Sequence, residues 1–258
     1  MKRIWVLMIL MGAVLGINPL QAQDILIVAD EIPAMEVLAS AFRTQEKLDC
    51  KIVTQTELPA SLAPFKAVLV YIHKDLNPEP ERAFIQYARN GGRLVVLHHS
   101  ISSAKRKNAE WFPFLGVTLP QKDVNEGGYK YVGDISMEVV NLAPRHFITT
   151  HQIRYDTTLS YQREEQTAMT AYPGIVLHKT EGFLNHQLSS PKTVLMGYKF
   201  RDATGKLWMQ DRATWYMPTE KGWVFYSQPG HAVSDFENPH YARVILNMVT
   251  CKKKHLVR

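Results

Sequence analysis

The first hundred residues alternate short, wholly apolar runs with stretches whose apolar positions recur at helical spacing. Residues 24–29 (Asp-Ile-Leu-Ile-Val-Ala) have strand length, and Pro33 then suits the first turn of a helix carrying Met35, Leu38, Ala39 and Phe42 on one face. Residues 51–54 give a second strand. Residues 67–72 (Ala-Val-Leu-Val-Tyr-Ile) give a third, apolar enough to be buried on both faces, with His73 as a polar residue at its exit. Asn77-Pro78-Glu79 opens the next helix with a capping amide, a proline and an acid; Phe84, Ile85 and Ala88 face inward, and Gly91-Gly92 closes it. A buried strand over residues 93–97 follows directly. Helices set between buried strands predict an α/β fold with a doubly wound, mainly parallel sheet in one domain.

Past residue 100 the pattern changes. A polar, basic loop (Lys105-Arg106-Lys107-Asn108) leads to a short aromatic helix at residues 111–116. Residues 130–141 read as a long strand with Tyr131, Val132, Ile135, Val139 and Val140 as apolar members, and Gly133 marks a bulge or bend. Gly127-Gly128 before it reads as a mobile loop able to lie over a site, with Glu126 as a possible ligand or acid. Residues 146–165 carry little periodicity. Three strand-like runs follow, at 174–178, 193–200 and 208–216, with a hairpin turn at Gly205-Lys206, and they predict an antiparallel C-terminal extension of the sheet. After a strand at 223–227, the last helix starts at Asn238-Pro239 and buries Tyr241, Val244, Ile245 and Met248.

Charge and address refine this picture. Lys2 and Arg3, an apolar run over residues 4–17, Pro19 and the small Ala22 have the layout of a cleavable export signal over residues 1–22. The run is too short to span a bilayer comfortably, so no stable membrane insertion is expected after cleavage, and the location expected is periplasmic or secreted. Residues 23–250 then form the domain and 251–258 a basic tail. The net charge of +6 in 258 residues comes entirely from that leader and tail. The body is neutral, which argues against nucleic acid as a partner. Cys50 and Cys251 are the only cysteines, and their separation in sequence leaves their pairing open.

Two apolar strands end in histidine: residues 91–100 run Gly-Gly-Arg-Leu-Val-Val-Leu-His-His-Ser, and residues 222–231 run Gly-Trp-Val-Phe-Tyr-Ser-Gln-Pro-Gly-His. Open α/β sheets hold ligands at the carboxyl ends of their strands. His98 and His231 are therefore the candidate acid–base pair of a single site, with His99, Ser100, Trp111, Tyr131, Gly230 and Asp235 as candidate substrate-binding neighbours. His98, His99 and His231, joined by Glu126, Asp235 or His240, also contain the ligand types of a zinc-like divalent metal site. Adjacent strand residues point to opposite faces, so His98 and His99 share an ion only where the strand has already ended. Structural histidines in a binding module are the alternative. No phosphate-binding glycine loop, Gly-x-Ser-x-Gly elbow or Cys-x-x-Cys pair is present.

The two histidine-ended blocks, with Trp111, Leu115-Gly116, Phe236, Asn238-Pro239 and a terminal helix between and after them, resemble the ThuA-like (trehalose utilisation) family across most of residues 24–250. The resemblance implies the flavodoxin-like, three-layer architecture of the class I glutamine amidotransferase-like group. It also implies work on a small-molecule carbohydrate, as in glycoside or keto-sugar processing. Amidotransferases place a nucleophilic cysteine where this chain has His98; neither cysteine here stands at that position, so glutamine hydrolysis is excluded. Ala232 stands where many members carry an acid after the Gly-His pair, and Val117-Thr118-Leu119-Pro120 replaces their histidine-proline element.

Overall fold

The computed structural model describes residues 24–256, so the export signal read at residues 1–22 lies outside them. In chain order the elements are β1 (Ile25–Ala29), α1 (Ile32–Glu46), β2 (Cys50–Val53), β3 (Ala67–Tyr71), α2 (Pro78–Arg89), β4 (Arg93–Leu97), α3 (Trp111–Leu115), β5 (Val117–Thr118) and β6 (Lys130–Asn141). There follow α4 (Phe147–Thr150), β7 (Thr157–Tyr161), β8 (Thr170–Leu184), β9 (Gln187–Leu188), β10 (Thr193–Arg201), β11 (Leu207–Pro218), β12 (Trp223–Ser227), α5 (Val233–Glu237) and α6 (Pro239–Thr250).

Ten strands form one mixed sheet in the order β2-β1-β3-β4-β12-β11-β10-β6-β8-β7. The first five are parallel to one another, and every pairing from β12 onward is antiparallel. The expected mainly parallel sheet is thus parallel only in its first half. The antiparallel half is also more than a C-terminal extension, because β6 enters it from mid-chain. Short β5 and β9 pair separately.

Why the parallel strands are continuously apolar is visible in their packing. Ile25, Ile27 and Ala29 of β1, with Val95 and Leu97 of β4, face a core built on α1 and α6. Leu26, Val28, Leu94 and Val96 face a second core built on α2 and Trp111. Covered on both faces, these strands have no solvent side on which a polar residue would be favoured. Burying each of these valine, leucine and isoleucine side chains contributes about 1.5–3 kcal/mol.

β4 and β12 are neighbours, in register from Arg93 opposite Trp223 to Leu97 opposite Ser227. That alignment brings the residues after each strand to the same end of the sheet. It is held at the other end by a close approach: a Cβ on Gly222 would lie 2.3 Å from the Gly92 carbonyl oxygen. Arg93 bonds the Cys251 carbonyl (2.7 Å) and approaches its thiol (2.8 Å), placing a cation at the carboxyl end of α6. Cys50 and Cys251 are both free. No helix among the described residues is long and apolar enough to cross a membrane.

The bulge expected in residues 130–141 is present: β6 and β8 slip register around Ile135, with Asp134 and Lys179 in the left-handed backbone region. β8 itself runs far beyond the expected 174–178, through Thr180, Glu181, Gly182 and Phe183 to Leu184. α4 and β7 occupy the stretch of little periodicity at residues 146–165, and α5 is an element the sequence pattern did not predict.

Candidate functional site: a histidine and carboxylate cluster

β4 stops at Leu97, and His98 begins a tight helical turn over His98–Ile101 with φ of +40°, a strained conformation for a residue with a side chain. Because the strand has ended, His98 and His99 need not diverge, and their rings stand edge to face with centroids 4.0 Å apart. His231 arrives from the β12 side after Gly230, whose φ of +116° favours glycine and whose carbonyl accepts from Tyr71 Oη at 2.9 Å. Its ring centroid lies 5.4 Å from that of His98 and 5.1 Å from that of His99. The two strand-end blocks therefore converge.

The antiparallel half supplies the fourth member. Glu181 Oε1 lies 3.5 Å from His98 Nε2 and 3.3 Å from His99 Nε2. Ligand atoms from His98, His99, Glu181 and His231 all fall within 4.8 Å of one another. Neither expected acid joins them: Glu126 is exposed at the end of a helical turn, and Asp235 is committed elsewhere.

The hydrogen bonds define what the cluster lacks. His98 Nδ1 is 2.5 Å from the Gln228 carbonyl oxygen, which can only accept, so Nδ1 carries the proton and Nε2 presents a lone pair. That lone pair is buried, without a hydrogen-bond partner, and faces a carboxylate; His99 Nδ1 and His231 Nδ1 are also buried without partners. Burial pushes His99 down to about 3 and lowers His231, so both imidazoles are neutral. For Glu181 burial works against the charge, yet the two imidazoles beside it hold its carboxyl below the ordinary range. His98 Nε2, with its proton held at Nδ1, faces this carboxylate with a lone pair at 3.5 Å, a contact that a cation between them would relieve.

The donor set fits such an ion. Ligands held tetrahedrally at about 2.1 Å lie about 3.4 Å apart, close to the two Glu181 separations. The backbone carbonyl on His98 Nδ1 is the outer contact that metal-ligating histidines require. A second group, Glu31, His73 and His99, fits poorly. The His73 and His99 rings are stacked at 3.8 Å and 20°, so their in-plane lone pairs run side by side and do not converge. His73, bonded through Nδ1 to Glu31 at 2.8 Å, is a neighbour of the site that the sequence represented only as a strand exit.

Several residues expected to touch substrate have other partners. Ser100 is buried, its hydroxyl donating to the Val70 carbonyl (2.9 Å) and accepting from Ile72 N (3.0 Å). Trp111 is fully buried and donates from Nε1 to the Ser100 carbonyl at 2.7 Å, out of reach of any ligand. Asp235 is also buried: its Oδ2 accepts from Thr180 Oγ1 (2.6 Å), His231 N (2.8 Å) and Ala232 N (3.1 Å). It positions the His231 loop and ties it to the residue before Glu181. Tyr131 alone of the aromatic candidates is exposed, at the rim of a cavity of about 300 Å³ that reaches His99 and Glu181. Lys105, read as part of a basic loop, is buried, and burial pushes its amine down to about 8. It donates to the carbonyls of Ile72 (2.7 Å) and His73 (2.8 Å), fixing the β3 exit.

Fold and site together define an α/β protein with a histidine and carboxylate cluster at the carboxyl ends of its parallel strands. The chain belongs to the ThuA, trehalose utilisation, family, whose model matches residues 26–250. It is similar in structure to a ThuA-like protein from Parabacteroides merdae, with a TM-score of 0.58 at 15% identity, covering 90% of this chain and 91% of that one. A ThuA-like protein from Bacteroides uniformis gives 0.54 at 15% identity, covering 93% and 96%. No curated protein matches the sequence.

Proposed function

We propose that this protein is an exported enzyme of carbohydrate processing that acts on keto-sugars or glycosides, with a divalent cation held by His98, His99 and Glu181 and with His231 as the acid–base residue. The observation that carries this reading is the cluster itself, one ligand atom from each of His98, His99, Glu181 and His231 within 4.8 Å of one another, with His98 Nε2 buried and without a hydrogen-bond partner beside the carboxylate. A catalytic zinc-type site uses three protein ligands and keeps one position open. A divalent cation there would polarise the carbonyl oxygen of a bound keto-sugar. His98 is fixed in one tautomer by the Gln228 carbonyl, and Glu181 compensates the charge. His231 is the least buried of the four, and its ring, beside those of His98 and His99, would take the proton from the carbon next to the carbonyl and return it. Such proton transfer supports isomerisation, or loss of a leaving group from the neighbouring carbon.

We read the parallel half as flavodoxin-like, since its order β2-β1-β3-β4-β12 follows the 2-1-3-4-5 order of those sheets. The Lys2-Arg3 leader and Ala22 support export. The test is metal analysis of the purified protein and its His98→Ala variant, with turnover of 3-keto-glycosides and parent disaccharides. Near-stoichiometric divalent metal lost in the variant, with turnover lost in both His98→Ala and His231→Ala, is expected. Metal-free protein with full activity would refute the reading.

A further inference from the structure

We infer that the site accepts a single terminal sugar ring, with the rest of the glycoside left outside past Tyr131. This rests on the carbohydrate reading above and deepens it. The cavity opening on the cluster measures about 300 Å³. That is the lower end of the range of about 300–1,000 Å³ for ligand pockets, room for one ring.

Its walls divide by chemistry. Ser102, Ser103, Tyr129, Tyr131, Glu181 and Phe183 line it, with His73 and His99 on the side toward the cluster. Tyr131 on β6 is directly opposite Phe183 on β8, and alternation along β8 puts Glu181 on the same sheet face as Phe183. One pair of strands thus delivers both an aromatic wall and the carboxylate. Tyr129 adds to that wall, its ring 5.8 Å from Phe183 and itself covered by the Arg106 guanidinium at 5.7 Å. The two serines come from the turns after β4 and face the cavity from the other side. A pyranose has a C–H face suited to aromatic rings and a rim of hydroxyls suited to serines.

The depth of the walls sets the register. Phe183 is buried and its ring stacks on His98 at 4.8 Å and 16°, so it forms a fixed floor beside the cluster. Tyr131 is 63% exposed, the most exposed large hydrophobic side chain among the described residues, and it forms the outer edge. A ring packed on Tyr131 over that floor brings its carbons toward Glu181 and His99, and a second unit lies in solvent.

The test is calorimetric titration of the full-length, zinc-loaded protein and its Tyr131→Ala variant. The probes are a methyl 3-keto-glucoside and the corresponding 3-keto-disaccharide and 3-keto-trisaccharide. We expect the three dissociation constants to agree within about threefold, and Tyr131→Ala to weaken all three by about 2- to 10-fold, the size of a stacking contact. A tenfold gain with each added unit overturns the single-ring inference and leaves the carbohydrate reading intact. So does an unchanged affinity in Tyr131→Ala. Failure of all three sugars to bind overturns both.

Discussion

His186, just beyond β8, should make the protein acid-labile well above the pH at which carboxylates titrate. It is fully buried, neither ring nitrogen has a good hydrogen-bond partner, and the backbone of Phe183 and Arg212 offsets little of the loss of solvent. Burial, reinforced by the nearby Arg212 charge, pushes the imidazole from 6.5 down to about 3. The folded state therefore favours the neutral ring, and the unfolded state binds the extra proton between these values. Stability from this group is complete above about 6.5 and falls with pH toward 3, at about 1.4 kcal/mol per unit once below 6.5. Going from pH 7.5 to 5.0 then costs about 2 kcal/mol from His186 alone. His186→Leu removes the titration and leaves no polar atom to be stranded, so the variant should be at least as stable as the parent at pH 7.5. Urea unfolding of both proteins at the two pH values, with chelator present to equalise metal content, measures the difference directly. If the variant loses as much stability on acidification as the parent, the buried neutral imidazole is refuted.

Three further substitutions probe the cluster and its surroundings. On the proposed metal reading Glu181→Gln takes away a ligand and the compensating charge, and should weaken zinc binding by more than about 100-fold, above the loss typical of outer contacts, as read by chelator competition. Asp235→Ala strands Thr180 Oγ1 and the backbone N–H groups of His231 and Ala232. Unfolding should come about 3 kcal/mol sooner in denaturant titration, with a looser metal site. Trp111→Phe loses the bond to the Ser100 carbonyl and leaves a void, costing about 2 kcal/mol, while KM for any sugar stays within twofold; a selective rise in KM would return Trp111 to the substrate site.

How far the sequence foretold this arrangement depends on how local each cause is. The parallel strands and their helices were legible because burial on both faces leaves uninterrupted apolar runs, and because Pro78, Asn238 and Gly91 mark helix ends by local chemistry. The convergence of His98 and His231 was legible for a related reason: two buried strands that both end in histidine become neighbours in the sheet. Glu181 was not legible. Lys179 takes a left-handed conformation beside His178, and the resulting bulge breaks the alternation that would have extended the strand to Leu184. Ser100 and Trp111 were misplaced for the opposite reason. They are close to His98 in sequence, but the helical turn after Leu97 aims the serine back at Val70 and Ile72 and leaves the indole in the core.

The division of labour between the two halves of the sheet follows from where each kind of residue can be afforded. The exit of β4 lies between two packed cores, so His98 and His99 are fixed and dry, as the ligands proposed for them need to be, while His231 beyond β12 is half-buried. The β6–β8 rim has solvent on one side, so it can carry an exposed Tyr131 and a partly buried aromatic wall without disturbing either core. Glu181 is the point at which the halves meet, and Asp235 joins them a second time by holding Thr180 and the His231 backbone together. Changes along the rim should therefore alter which sugar is held, whereas changes at the strand exits should alter whether a cation is held at all. Only at Glu181 should one substitution do both.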